Sequence, residues 1–219
     1  MSKTILRSLS ALALLSVLTA CSQQATPADL NRDNVVSVEP SASSREILRM
    51  YRATSSDVNL VDDPDELTPK AELIVEGQIV GFSTGRHWQF GGEGTDPVTS
   101  TIMKVIVSKK FKGAPGYVNS TVYVEHFLAF DVDLNELNSS LVGYQCGLFL
   151  IEAAGAGTAG LLDPTGGRPL GQKLWVAGGQ TFVVQDKSKT QVVWPSLQEV
   201  TNGKLADAMP GGALVPSGE

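Results

Sequence analysis

The sequence predicts a mostly β fold, either a single small barrel or a sandwich of about seven strands, with one or two short helices. From Ala71 onward, short runs rich in Val, Ile, Leu, Phe and Tyr are broken by Gly, Pro, Asn and Asp. Within one such run, Met103, Val105 and Val107 alternate with polar Lys104. This alternation is typical of a half-buried strand.

Two short helical segments precede the strands. Residues 43–54 place Ile47, Met50 and Tyr51 on one face after two serines, which predicts an amphipathic helix. The acidic cluster at residues 62–66 predicts a turn with one helical turn. The same carboxylates suggest weak calcium binding as an alternative, but solvated charges beside a turn are the simpler interpretation.

Seven strands follow in the prediction, at residues 72–82, 99–110, 120–128, 146–153, 172–177, 180–186 and 190–194. A turn at residues 186–189 predicts a hairpin between the last two. Between residues 130 and 143 the apolar spacing predicts a short helix or an ordered loop. The Gly- and Pro-containing residues 201–219 predict a loose C-terminal tail, so the globular domain is expected at residues 43–200.

The N-terminus has the order of a secretory signal at residues 1–20: basic residues, an apolar run and small residues before Cys21. Leu18-Thr19-Ala20-Cys21 resembles the lipobox of bacterial lipoproteins. The resemblance implies cleavage before Cys21 and acylation of its sulfur, which would be the only prosthetic group, with no other cofactor. The protein would then be anchored by lipid in the cell membrane or the outer membrane, facing the periplasm or the cell exterior.

Polar residues 21–42 predict a flexible tether between the lipid and the domain. The chain has a net charge of −6, and removal of the signal with Lys3 and Arg7 makes it more negative. This balance argues against a nucleic-acid partner. With Cys21 acylated, Cys146 is the one remaining cysteine, so no intramolecular disulfide forms. Its apolar surroundings predict a small buried hydrophobe.

Three stretches resemble a group of uncharacterised bacterial envelope proteins: residues 71–80, residues 105–113 and residues 122–125. A later stretch, Cys146 to Ile151, departs from the pattern of that group. The resemblance implies an OB-like barrel similar to tissue-inhibitor and netrin-like modules, and no particular activity. Gly77 would permit a sharp bend of the first strand at a barrel corner.

Two further segments match known motifs only in part. Residues 155–160 match GxGxxG after a strand, but the Pro and Gly residues that follow prevent the helix that a dinucleotide site needs. Residues 131–135 copy the start of a calcium loop, yet Glu136 occupies the position of the essential Gly. Both segments are therefore expected to be surface structure, without a metal or a dinucleotide.

His87, Trp88 and Phe90 lie in a Gly-rich excursion between two predicted strands. Aromatic side chains on such a loop are a recurring recognition device, so these residues are the candidate partner-binding loop. The alternative is that Trp88 and Phe90 fold back and plug the end of the barrel. Neither His87 nor His126 belongs to a set with metal-ligand spacing.

The sequence therefore favours an envelope lipoprotein that is not an enzyme and that binds a protein or glycan partner through loops. One alternative is an inhibitor of an extracellular peptidase, suggested by the similarity to tissue-inhibitor modules. Acylation of Cys21 would block the zinc chelation that such inhibitors perform with an N-terminal cysteine. The other alternative is an enzyme whose site assembles only in space, recognisable as a pocket with convergent polar groups.

Overall fold

Eight strands form one hydrogen-bonded sheet in the computed structural model, which describes residues 38–51, 60–90, 94–114, 117, 119–128 and 133–217. The strands are β1 (Leu73–Trp88), β2 (Val98–Lys112), β3 (Thr121–His126), β4 (Gln145–Glu152), β5 (Leu174–Val176), β6 (Phe182–Gln185), β7 (Gln191–Trp194) and β8 (Glu199–Asn202). The helices are α1 (Ala42–Met50) and α2 (Leu134–Leu141). The predicted signal, Cys21 and most of the tether lie outside the described residues.

The first five strands close on themselves. They follow the order β1-β2-β3-β5-β4, and β4 pairs back with β1. The pairing of β3 with β5 is parallel, whereas the other pairs in this ring are antiparallel. This five-strand ring fits a small barrel-like fold, and α2 lies between β3 and β4 in the chain. The mostly β fold with a small barrel that the sequence predicts is therefore confirmed.

The first part of β1 pairs with β2 on one side and with β4 on the other. The pairing of β1 with β2 shifts register between Glu76 and Gly77, while the same residues pair with Gly147 and Cys146 of β4. A Cβ added at Gly77 would lie 2.5 Å from the carbonyl oxygen of Ile106. The absence of a side chain at Gly77 therefore permits the close approach of β2 at this register shift.

The core fills the barrel and extends under both helices. Ile47, Met50 and Tyr51 pack onto it from α1 and its C-terminal end, as the spacing of these residues predicts. Leu137 and Leu141 pack onto it from α2. Residues 52–54 of the predicted first helix lie outside the described part of the chain. The 3-10 helix Pro64–Leu67 is the helical turn predicted at the acidic cluster.

All seven predicted strands are present, and β6 and β7 form the expected hairpin. The prediction of a loose tail from residue 201 is wrong for residues 201–217. β8 includes Thr201, and Leu205, Ala208 and Met209 are buried after it. Leu205 and Ala208 belong to the 3-10 helix Leu205–Ala208 and pack with Trp194, whereas Met209 follows it and packs with Ile74. Gly and Pro therefore mark turns here.

Within the described part of the chain, neither α1 nor α2 has the length and hydrophobicity that crossing a bilayer requires.

Candidate functional site

A buried ion pair joins the C-terminal ends of β1 and β3. The Nε of Arg86 donates to Oε1 of Glu125 at 2.9 Å, and a terminal guanidinium nitrogen donates to Oε2. The side chains of both residues are 1% exposed. The pair is not evident from the sequence, which predicts a loop at Arg86, whereas β1 continues as far as Trp88.

The polar groups of this pair are well satisfied. Glu125 also accepts hydrogen bonds from the hydroxyl of Ser100 at 2.6 Å and from the indole nitrogen of Trp88 at 3.3 Å. Arg86 donates in addition to the carbonyl oxygen of Ala154. Burial raises the pKa of Glu125, but these hydrogen bonds and the Arg86 charge outweigh burial and hold the pKa below its ordinary value. The carboxylate is thus charged, and it fixes the position of Trp88.

Three rings form what we call the aromatic cluster: Trp88, Phe90 and Phe127. Trp88 and Phe90 stack with centroids 5.6 Å apart and planes 8° apart, and Phe127 contacts both edge-on. Trp88 is 7% exposed, whereas Phe90 is 54% and Phe127 36% exposed. Trp88 is therefore buried, as the alternative of folding back expects, whereas Phe90 remains on the surface. Partner binding by this segment stays a prediction.

His87 points away from the aromatic cluster, because neighbouring strand residues face opposite sides. It is exposed, and its Nδ1 lies 3.0 Å from the hydroxyl of Thr99. The structure therefore brings together Trp88 and Phe90 but not His87. Phe127, which follows β3, is the residue that sequence reasoning missed, since only the barrel brings it next to Trp88.

The loop between β4 and β5, residues 153–173, supports this end of β1. The amide of Gln89 donates to the carbonyl oxygen of Gly160 at 2.7 Å. The amide of Leu162 donates to the carbonyl oxygen of His87 at 2.9 Å. Gly160 has φ +81°, and a Cβ there would lie 2.6 Å from the Gln89 oxygen. This glycine of the GxGxxG match thus permits close packing of a loop and opens no helix.

A cavity of about 350 Å³ lies beside the aromatic cluster. Its lining residues come from the C-terminal end of α1, from β3 and β5 with the residues that follow them, and from the 3-10 helix Pro195–Leu197 after β7: Tyr51, Glu125, His126, Phe127, Leu128, Val176, Ala177 and Ser196. His126 is 6% exposed, and its Nε2 has no hydrogen-bond partner in the described residues. Burial lowers the pKa of His126 to about 4, against a smaller opposing effect of Glu125, so the imidazole is neutral at ordinary pH.

The other predicted candidates have structural roles. Cys146 is fully buried in the core, as expected, and burial raises the pKa of its thiol. Asp63 caps the 3-10 helix by accepting from the amide of Asp65, and Asp133 caps α2 in the same way. Asp131 and Val132 lie outside the described residues. In the part of the chain that is described, no group of His, Cys, Asp or Glu is placed to hold a metal ion.

The site therefore offers an exposed aromatic surface on a rigid base and, beside it, a mostly apolar cavity. Comparison of the chain with protein-family models, with curated proteins and with solved structures found no match.

Proposed function

We propose that the protein is a non-enzymatic, lipid-anchored envelope protein that binds another envelope protein through the aromatic cluster. The observation that carries the proposal is the exposed ring of Phe90, stacked on Trp88. Trp88 is in turn hydrogen-bonded to the buried Glu125. A large apolar ring on the surface is ordinary by itself, but a ring held in place by a buried polar network is preorganised for contact.

The chemistry of the aromatic cluster favours a protein partner. Its exposed rings, Phe90 and Phe127, carry no polar atom, and the centre of a protein interface is enriched in aromatic rings and depleted of charge. Sugars and bases would also stack on a ring, but both need nearby hydrogen-bonding groups for specificity. One polar group next to Phe90 is already engaged within the chain, since Gln89 Nε2 donates to the carbonyl oxygen of Thr95. The net charge of −6 also disfavours nucleic acid.

Attachment to a membrane rests on the sequence alone. The lipobox-like Leu18-Thr19-Ala20-Cys21 and the polar residues that follow it support acylation of Cys21. Mass spectrometry of the protein from its native envelope tests this directly. We expect a mature N-terminus at Cys21 bearing fatty acyl chains, and an unmodified Cys21 would contradict the anchor.

Photocrosslinking tests the aromatic cluster as a docking surface. A benzophenone-bearing phenylalanine replaces Phe90 in cells that make the protein natively, and the same residue replaces Leu170 as the control. Leu170 is 96% exposed, so it reports random collisions. We expect one discrete protein adduct from position 90, absent from position 170 and reduced by Phe127→Ala.

Equal adduct patterns from positions 90 and 170 would contradict the proposal. A glycan adduct at position 90, recognised by its loss on glycosidase digestion, would contradict the choice of a protein partner while leaving the aromatic cluster as the binding surface.

A further inference from the structure

We infer that an apolar groove beside β4 and β5 binds a fatty acid, with the acyl chain on the groove walls and the carboxylate at Lys70. The groove has a volume of about 360 Å³, at the lower end of the range for ligand pockets, which suits a short acyl chain. The inference does not rest on the proposed docking function, because no residue of the aromatic cluster lines the groove.

The walls of the groove are mostly apolar. Leu67 and Phe149 are buried, whereas Ile151 is 47% exposed although its side chain is large and apolar. An acyl chain lying in the groove would remove Ile151 from water, and this burial of apolar surface is favourable. The lining residues are Leu67, Lys70, Ala71, Phe149, Ile151, Val176, Ala177, Gly178 and Thr181.

Lys70 is the one charged residue that lines the groove. Its side chain is exposed, and its ammonium group has no hydrogen-bond or ion-pair partner among the described residues. A lysine packs its methylene stem on apolar surface while the ammonium group stays in water. A carboxylate at the mouth of the groove can therefore pair with Lys70 while the acyl chain contacts the walls.

The remaining polar side chain of the groove is already engaged. The hydroxyl of Thr181 donates to the carbonyl oxygen of Gly178 at 2.8 Å and accepts from the amide of Gly178 at 2.9 Å. Glu72 does not line the groove, and its Oε1 accepts from the amide of Glu152 at 3.3 Å. One free positive charge matches one negative charge, so a monocarboxylate fits the groove better than a doubly charged phosphate ester.

The test compares octanoate with octanol, which share an alkyl chain and differ in the charge of the head group. NMR titration of the full chain carrying Cys21→Ser, which removes the proposed acylation site, measures both affinities. We expect both probes to bind saturably and to shift the amide signals of Ile151 and Gly178. Lys70→Gln should weaken octanoate binding about fivefold, because one exposed ion pair is lost, and should leave octanol binding unchanged. Lys70→Arg should retain the affinity for octanoate.

Three further variants keep the test specific. Lys189→Gln removes an exposed positive charge from the turn between β6 and β7, outside the groove, so it should change neither affinity. Ile151→Glu places a negative charge on the groove wall and should abolish octanoate binding. Ile106→Glu makes the same change at a residue of β2 that is 42% exposed and does not line the groove, so it should affect neither probe. All the replaced side chains are exposed, so we expect the variants to fold.

The inference is overturned if neither probe binds saturably, or if octanol binds and octanoate does not. It is also overturned if Lys70→Gln weakens octanoate binding no more than Lys189→Gln does. Saturable binding that shifts the amide signals of Leu128 and Ser196, and not those of Ile151 and Gly178, would assign the ligand to the cavity beside the aromatic cluster and would contradict the groove as the site.

Discussion

Arg86 and Glu125 form a two-point ion pair at the end of the barrel, across β2, with both side chains 1% exposed. They are 39 residues apart in the chain, and β2 pairs with both of their strands. The pair therefore links two strands that have no hydrogen bonds with each other in the ring order.

Removing one partner of this pair is expected to be strongly destabilising. Glu125→Gln leaves the Arg86 guanidinium buried without its counter-charge, so we expect a loss of about 3–5 kcal/mol in the free energy of unfolding. Urea denaturation measures this change in the free energy of unfolding, and urea, being uncharged, does not screen the ion pair as a salt would. Arg86→Met together with Glu125→Leu should recover part of the loss, because no uncompensated charge remains.

An exposed ion pair provides the matched control. The Nη1 of Arg49 lies 2.6 Å from Oε1 of Glu136, and the two side chains are 49% and 46% exposed. Glu136→Gln should change the free energy of unfolding by less than about 1 kcal/mol, because solvent screens the pair. If Glu125→Gln were as mild as Glu136→Gln, the buried pair would not contribute as the structure implies.

His126 is expected to make stability depend on pH. Its pKa is about 4 in the folded protein and near the ordinary value of 6.5 when unfolded, so acid protonates the unfolded chain first. Stability should therefore be full above pH 6.5 and should fall toward pH 4, with a loss of about 2 kcal/mol between pH 7 and pH 5. Urea denaturation of His126→Phe should lack this loss, and His87→Phe should keep it. Equal pH dependence in the two variants would exclude His126 as the cause.

Glu125 acts in a lower pH window. Its pKa is depressed in the folded protein, so its contribution is present above the unfolded value of 4.5 and is lost as pH falls through the folded value. The loss of stability between pH 7 and pH 5 therefore reports protonation of His126. A further loss of stability in stronger acid includes protonation of Glu125.

The strands were predictable because their signals are local. Alternation of Val105 and Val107 with polar neighbours, bounded by turn residues, indicates a strand without any knowledge of its partners. β8 (Glu199–Asn202) was missed because Val200 is its only apolar residue, so its strand character comes from pairing with β7. The prediction of a barrel came from the resemblance to envelope proteins, because local sequence patterns do not determine the order of strands in a sheet.

The site was predictable only in part. Trp88 and Phe90 stood out as large aromatic residues in a Gly-rich stretch, but Phe127 and Glu125 reach them only through the pairing of β2 with β1 and β3. Arg86 and Glu125 could not be recognised as buried, because a charged residue is normally assigned to the surface. His126 was noted only as an isolated histidine, and the cavity beside it depends on four separate segments.

Trp88 and Phe90 are expected to differ sharply in their effects on stability. Trp88→Ala empties a buried volume and removes the hydrogen bond to Glu125, so we expect a loss of about 3–5 kcal/mol. Phe90→Ala should cost less than about 1 kcal/mol, since the ring is largely in solvent, while it weakens partner binding. Thermal and urea unfolding measure the loss of stability in both variants. Photocrosslinking from a benzophenone-bearing residue at position 127 measures the loss of partner binding in Phe90→Ala. Equal destabilisation by the two variants would mean that Phe90 is a core residue.

Gly77 is expected to tolerate no side chain. A Cβ there would lie 2.5 Å from both the Ile106 carbonyl oxygen and a methyl group of Val105. Gly77→Ala should therefore lower the free energy of unfolding by about 1–3 kcal/mol, because β2 must move. Gly155→Ala is the control, since nothing lies within 4 Å of its added Cβ. A neutral Gly77→Ala would show that the barrel corner adapts without strain.

Met209 tests whether the C-terminal segment belongs to the domain. It is fully buried against Ile74 and Phe149, and its sulfur covers Gly147, where an added Cβ would collide with it. Met209→Ala should leave a cavity and lower the free energy of unfolding by about 2–5 kcal/mol. Lys204→Ala changes an exposed side chain of the same segment, so it should have almost no effect in the same urea titration. If Met209→Ala were equally silent, the segment would behave as the loose tail that its Gly and Pro content suggests, and β4 would be stable without its cover.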